Sequence, residues 1–197
     1  MKRTVLLLLA CLLLALPTVA QVPEKAAPDD LVVTAEIVGY SYKPAESPGN
    51  EHKLLLYVRL NVRNQTNSPR EITFYSCGWP AYWIPKGTVV GFDFVGCDKN
   101  YPRTLPIPAN QSIIFYGPVR VRENDDKPTT FALGFVDFTA ADFESKAFRK
   151  AKWRDKLLES KAVYWSNELN SNIDLTTTPE IKGSDQYPMY RLTWEDR

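Results

Sequence analysis

From Leu31 onward apolar and polar residues alternate with a period of two. Between Lys53 and Arg63, Leu54, Leu56, Val58, Leu60 and Val62 fall on one side, and Leu55, Tyr57, Arg59, Asn61 and Arg63 fall on the other. That is the spacing of a half-buried strand, because successive strand side chains point to opposite faces. The turn chemistry of Asn64-Gln65-Thr66-Asn67-Ser68-Pro69 follows, and residues 71–76 resume the alternation with Ile72 and Phe74 opposite Thr73 and Tyr75. The pair predicts a hairpin. Residues 88–97, 111–122 and 129–138 repeat the pattern, aligning Val90, Phe92 and Phe94, then Ile113 and Phe115, then Phe131, Leu133 and Phe135. The segments between them are rich in Pro, Asn and Asp. Short strands at this spacing, with no alternation of strands and helices, predict a mainly β, antiparallel sandwich or barrel.

The period changes once. Thr139-Ala140-Ala141-Asp142 has the chemistry of a capping box, and residues 140–161 contain neither Gly nor Pro. Phe143, Ala147, Ala151, Leu158 and Ala162 fall at helical spacing, so a helical insert over 140–161 is expected to pack on the sheets. Residues 162–169 are again β-branched and aromatic and are read as the last strand, with continued helix as the alternative. Residues 176–197 are read as a tail ending in either one more strand or a docked segment.

The first twenty residues have another character. A basic start at Lys2-Arg3, an aliphatic run from Val5 to Leu16 and small residues before Gln21 read as a secretory signal peptide. The run is short of the ~20 residues a spanning helix needs. Cys11 has a lipid-attachment context, but the apolar run continues past it to Leu16, which argues against that use. Residues 21–30, polar and carrying Pro23 and Pro28, read as a linker to a domain over 31–175.

The leader also changes the balance of charge and thiols. The 197-residue chain has a formal net charge of +1 and three Cys; without residues 1–20 it has one more acid than base and two Cys. A near-neutral chain with interspersed signs lacks the concentrated basic surface that counterion release needs, which argues against nucleic acid as a partner. An even pair of cysteines in an exported chain predicts a disulfide between Cys77 and Cys97, in a periplasmic or extracellular protein.

The succession LYVRLNVRNQTNSPREITFYS, a Trp-bearing turn, LPIPANQSIIF, FALGFVDF and VYWSNEL resembles small exported bacterial immunoglobulin-like sandwiches. It is similar to the strand pattern of the intracellular proteinase inhibitor domain of bacilli. The resemblance spans roughly 31–169 and implies an immunoglobulin-like sandwich with residues 162–169 as strand. It does not carry protease inhibition over, since no reactive loop matches residue by residue.

Candidate chemistry is sparse. Trp79, Tyr82 and Trp83 lie with Pro80 and Pro85 between two strands, where stiff backbone would hold rings ready to bind a protein or stack on sugar. The same rings would equally serve as the plug of a sandwich core. His52, the only imidazole, lies in a polar turn without a nucleophile elbow or further metal ligands, so neither a triad, a metal site nor a cofactor is expected. Asp93 and Asp137, each between apolar neighbours, are the strand acids through which a carboxylate pair would have to act, but each is expected to point to solvent. Asn124-Asp125-Asp126 reads as a turn, and the bases from Lys146 to Lys156 as a solvated helix face. The expectation is an exported, non-enzymatic binding or structural module. The alternatives are a carbohydrate-active or carbohydrate-binding protein using residues 79–83, or a loop-mediated protease inhibitor.

Overall fold

The computed structural model of the chain describes residues 28–43, 53–93, 101–121, 129–144, 156, 158–182 and 190–194. Over these residues the protein is mainly β. In chain order the strands are β1 (Leu31–Lys43), β2 (Lys53–Asn64), β3 (Arg70–Tyr75), β4 (Trp83–Gly87), β5 (Val89–Phe92), β6 (Pro102–Ile107), β7 (Ser112–Val121), β8 (Thr130–Val136), β9 (Val163–Trp165), β10 (Leu169–Asn170) and β11 (Tyr190–Leu192). A 3-10 turn (Trp79–Tyr82) precedes β4, and the short helix α1 (Ala140–Glu144) follows β8.

Strand pairing is antiparallel throughout the ladders and builds three sheets. The first runs β1-β2-β7, with β11 and β5 pairing different halves of β7. The second places β4 on one side of β8, and β9 and β10 on the other. The third is the hairpin-like pair β3-β6, joined to the end of β8 through a bridge from Thr73 to Phe138.

The alternation along β2 has the expected effect: Leu56, Val58, Leu60 and Val62 are fully buried, while Arg59, Asn61 and Arg63 are not. They meet Ile113, Phe115 and Val119 of β7, Ile72 and Phe74 of β3, and Phe131, Leu133 and Phe135 of β8 in a single core. Strand β8 is buried on both faces beyond Thr130. At Gly134 a Cβ would stand 2.3 Å from a Val163 methyl carbon and 2.9 Å from the Trp165 ring, so the close approach of β9 requires glycine there.

Trp79, Tyr82 and Trp83 are 2%, 2% and 6% exposed. The surface reading of these rings therefore does not hold, and their core reading does. The reason is geometric: the 3-10 turn begins with Pro80 near its start and folds inward, so Trp79 stacks on Phe115 at 5.1 Å and Trp83 meets Phe115 at 5.9 Å and Phe135 at 5.4 Å. The Tyr82 hydroxyl accepts the Tyr75 amide at 3.2 Å. Both indole N–H groups are buried without a hydrogen-bond partner among the described residues, so these rings contribute area and shape.

The capping box at Thr139 forms as the sequence suggests. The Thr139 amide donates to the Asp142 carboxylate at 2.7 Å, and the Asp142 amide donates to the Thr139 hydroxyl at 3.3 Å. Helix α1 then buries Phe143 against Tyr75, Tyr82 and Phe138. Residues 156 and 158–160 are helical too, while 145–155 and 157, most of the expected insert, lie outside the described residues.

Within 162–169, residues 163–165 and 169 are strand and none continues the helix, the strands being interrupted where Asn167 leaves the ladder. The Asn167 side chain accepts the Ala35 amide at 2.8 Å and donates to the Ala35 carbonyl at 3.1 Å. It thus closes the open edge of β1 as a strand would. Farther along that edge the Tyr40 amide donates to Pro179 and the Ile181 amide donates to Tyr40. The region read as a tail therefore belongs to the fold at both 179–181 and β11.

The turn after β2 is organised from inside. Asn64, fully buried, donates to the carbonyls of Ser68, Ile107 and Pro108 and accepts from the Thr66 amide and hydroxyl. Replacing it by Ala would strand several buried backbone groups. Asn64→Ala is expected to lower unfolding free energy by about 2–4 kcal/mol in urea titration, well above the loss of a single ordinary hydrogen bond.

Candidate functional site

A cluster of three charged side chains bound to one another lies where all three sheets meet. Asp30 immediately precedes β1, Arg70 opens β3, Asp137 follows β8, and Tyr164 is central in β9. The Arg70 Nε donates to one Asp30 oxygen at 2.7 Å and Nη2 donates to Asp137. The Tyr164 hydroxyl donates to the other Asp30 oxygen at 2.7 Å. The Asp30 carbonyl also accepts the Gln65 amide at 3.0 Å. The planar fork of arginine makes this arrangement, since it presents donors in two directions within one plane.

Burial is uneven across the cluster. The Asp137 side chain is 11% exposed, that of Asp30 23% and that of Arg70 33%. Burial pushes the Asp137 carboxyl up to about 6 against the pull of Arg70, with the neighbouring Asp30 charge adding to the rise. For Asp30 burial works upward as well, but the bonds from Tyr164 and Arg70 outweigh it and hold the carboxyl below its ordinary range. Burial and the bond to Asp30 raise the Tyr164 hydroxyl, so it remains a neutral donor. Beside the cluster, Lys161 bonds Asp142 at 2.7 Å; Asp142 is held low by this cation and by the Thr139 cap, against its own burial.

Two carboxylates whose proton affinities are driven apart constitute the pattern of an acid–base pair. Here both are engaged by the same guanidinium, so the arrangement also serves as a three-way fastening. A shallow groove of about 190 Å³ runs alongside it, lined by Pro28, Asp29, Val33, Val163, Tyr164 and Trp165.

Of the two strand acids singled out from the sequence, Asp137 belongs to this cluster and Asp93 does not. Asp93 lies 3.8 Å from Arg120 and is joined through its amide to Pro118. The sequence reading left Arg70 and Tyr164 unnoticed and placed Asp30 in the linker. Asp137, expected from the sequence to point to solvent, is instead nearly enclosed; a carboxylate so placed needs a cation, and its partner Arg70 lies 67 positions away in the chain. Cys77 is buried. Cys11, Cys97, His52, residues 124–126 and the bases from Lys146 to Arg154 lie outside the described residues; Lys156 is exposed. No group of His, Cys, Asp and Glu suited to a metal ion occurs among the described residues, and no helix there is long and apolar enough to cross a membrane.

No family model, curated protein or solved structure matches the chain.

Removing Arg70 would leave two carboxylates without their cation. Arg70→Gln is expected to cost about 2–3 kcal/mol at pH 7, the low side for a broken buried pair because a third of the side chain already meets water. Adding Asp137→Asn should recover part of that loss, with an interaction energy of about 1–2 kcal/mol in a double-mutant cycle by urea denaturation. Additive losses would show that the two side chains act independently.

Proposed function

We propose that the chain is an exported, non-enzymatic β-sandwich module of immunoglobulin-like type with a binding or structural role. The observation that carries this reading is the fastening at Asp30. Asp30, the last residue of the expected linker, is bound through its side chain to Arg70 of β3 and Tyr164 of β9 and through its carbonyl to Gln65 after β2, so the chain is tied into the sheets immediately before β1. The shared core between the β1-β2-β7 sheet and the β4-β8-β9 sheet supports the sandwich element of the reading. The signal peptide over 1–20 and the bilayer-short apolar run support export.

The Cys77–Cys97 disulfide is part of this proposal. Cys77 is buried, as half of a structural disulfide would be. With Cys11 inside the leader, Cys97 is the partner this reading requires. A carbohydrate-active role resting on the rings of Trp79, Tyr82 and Trp83 loses its platform, because stacking on a sugar needs an accessible ring face and these rings face the core.

Expression with the leader intact provides the test. Intact mass of the secreted chain should correspond to a start at Gln21, with two hydrogens fewer than the reduced form, and not to a lipidated chain starting at Cys11. Titration with polysaccharides and peptidoglycan should leave tryptophan emission unchanged and yield no product. Retention of residues 1–20 in the cell, or turnover of any of these polymers, would overturn the reading.

A further inference from the structure

We propose that the Asp30–Arg70–Asp137–Tyr164 cluster is a pH-responsive joint between the three sheets, which tightens in mildly acidic solution when Asp137 accepts a proton and Asp30 and Arg70 remain as a matched pair. The geometry supplies the argument. Two carboxylates share one guanidinium, so with both ionised the cluster holds one negative charge that Arg70 does not balance. Asp137 is the more enclosed of the two. A charge removed from water is costly unless paired, so the unbalanced charge is most readily relieved by protonating the enclosed acid.

The groups acting on Asp137 are Arg70 from β3, Asp30 before β1, Tyr164 from β9 and Lys161 before β9. Tyr164 is neutral and already donates to Asp30, and Lys161 is bonded to Asp142. Neither supplies a second full cation to the shared site. Once Asp137 is protonated, Arg70 and Asp30 form a one-to-one pair in which Asp30 keeps its bond from Tyr164.

The direction of the pH dependence follows from these opposing environments. The folded chain holds a proton on Asp137 up to about pH 6, whereas an exposed aspartate releases it near its ordinary value of 3.8. The stability that Asp137 contributes is therefore complete below that ordinary value and is lost as pH rises through about 6. Asp30, held below its ordinary range, has the opposite sign: its contribution is present above that range and is lost only as the solution becomes more acidic. The interval between the two belongs to Asp137.

Thermal unfolding of the full mature chain and of Asp137→Asn, compared between pH 7.5 and pH 5.0, reads this directly. The wild type is expected to gain about 3–5 °C in Tm relative to the variant on acidification; parallel profiles would overturn the proposal. Carboxyl carbon NMR of the wild type gives an independent reading should the variant fold poorly, with Asp137 expected to titrate well above the other aspartates. In Asp30→Asn the Asp137 midpoint should move to lower pH, because the competing carboxylate has gone. A midpoint unmoved by Asp30→Asn, or an ordinary one in the wild type, would also overturn it.

Discussion

The fold depends on the enclosure of one ring, Phe115. It projects from the middle of β7 and is fully buried, and around it stand Phe74 of β3, Trp79 of the 3-10 turn, Trp83 of β4 and Tyr190 of β11. These rings come from all three sheets. Their centroid separations of 5.1–6.3 Å, with mostly tilted or edge-on planes, are those of favourable aromatic pairs. A core filled by large rigid rings has few ways to rearrange, because interiors pack to crystal-like density. The position of Phe115 therefore constrains where the strands around it can lie.

That requirement explains why the aromatic segment 79–83 turns inward. The β3–β4 connection must supply rings to close the space over β7, and the 3-10 turn sets Trp79 beside Phe92 and Phe115 while sending Tyr82 to Phe138. Polar fastening is then left to the periphery. Asn167 closes β1 at Ala35, residues 179–181 close it at Tyr40, and Asn64 holds the turn after β2. Strand edges elsewhere carry Pro85 in β4 and Pro102 and Pro106 in β6, residues without an N–H to offer another chain. Open edges are thus blunted by two means, side-chain mimicry and proline.

Local patterning revealed much of this architecture. The alternation of β2 named its buried face, Thr139 and Asp142 marked the start of α1, and β-branched and aromatic residues around Trp165 marked a strand. Those features arise within a few residues of one another. The joint did not emerge in the same way, because Asp30, Arg70, Asp137 and Tyr164 lie far apart in the chain and meet only after three sheets have formed. Arg70 falls between a turn and a strand with nothing local to mark it, and Tyr164 is patterned like an ordinary strand aromatic. The break at Asn167 was equally illegible, since its purpose is to satisfy Ala35, 132 residues earlier. Trp79, Tyr82 and Trp83 show a different limit: composition fitted both a surface platform and a core plug, and only the fold decides which way a ring faces.

The core and the joint consequently respond to different variables. Burial of Phe115 and its neighbours is apolar and insensitive to proton concentration, and it scales with the area withdrawn from water. The joint adds less buried area but contains a nearly enclosed carboxylate and a competing one on the same cation. Acidification within the range that affects Asp137 leaves the ring packing chemically unchanged and alters the fastening of β1, β3 and β9. The same chain can therefore keep its core while the connection between its first strand and the remaining sheets stiffens or relaxes. Coupling of this kind requires only that the charge imbalance lie where separate sheets converge, which is the position that Arg70 occupies.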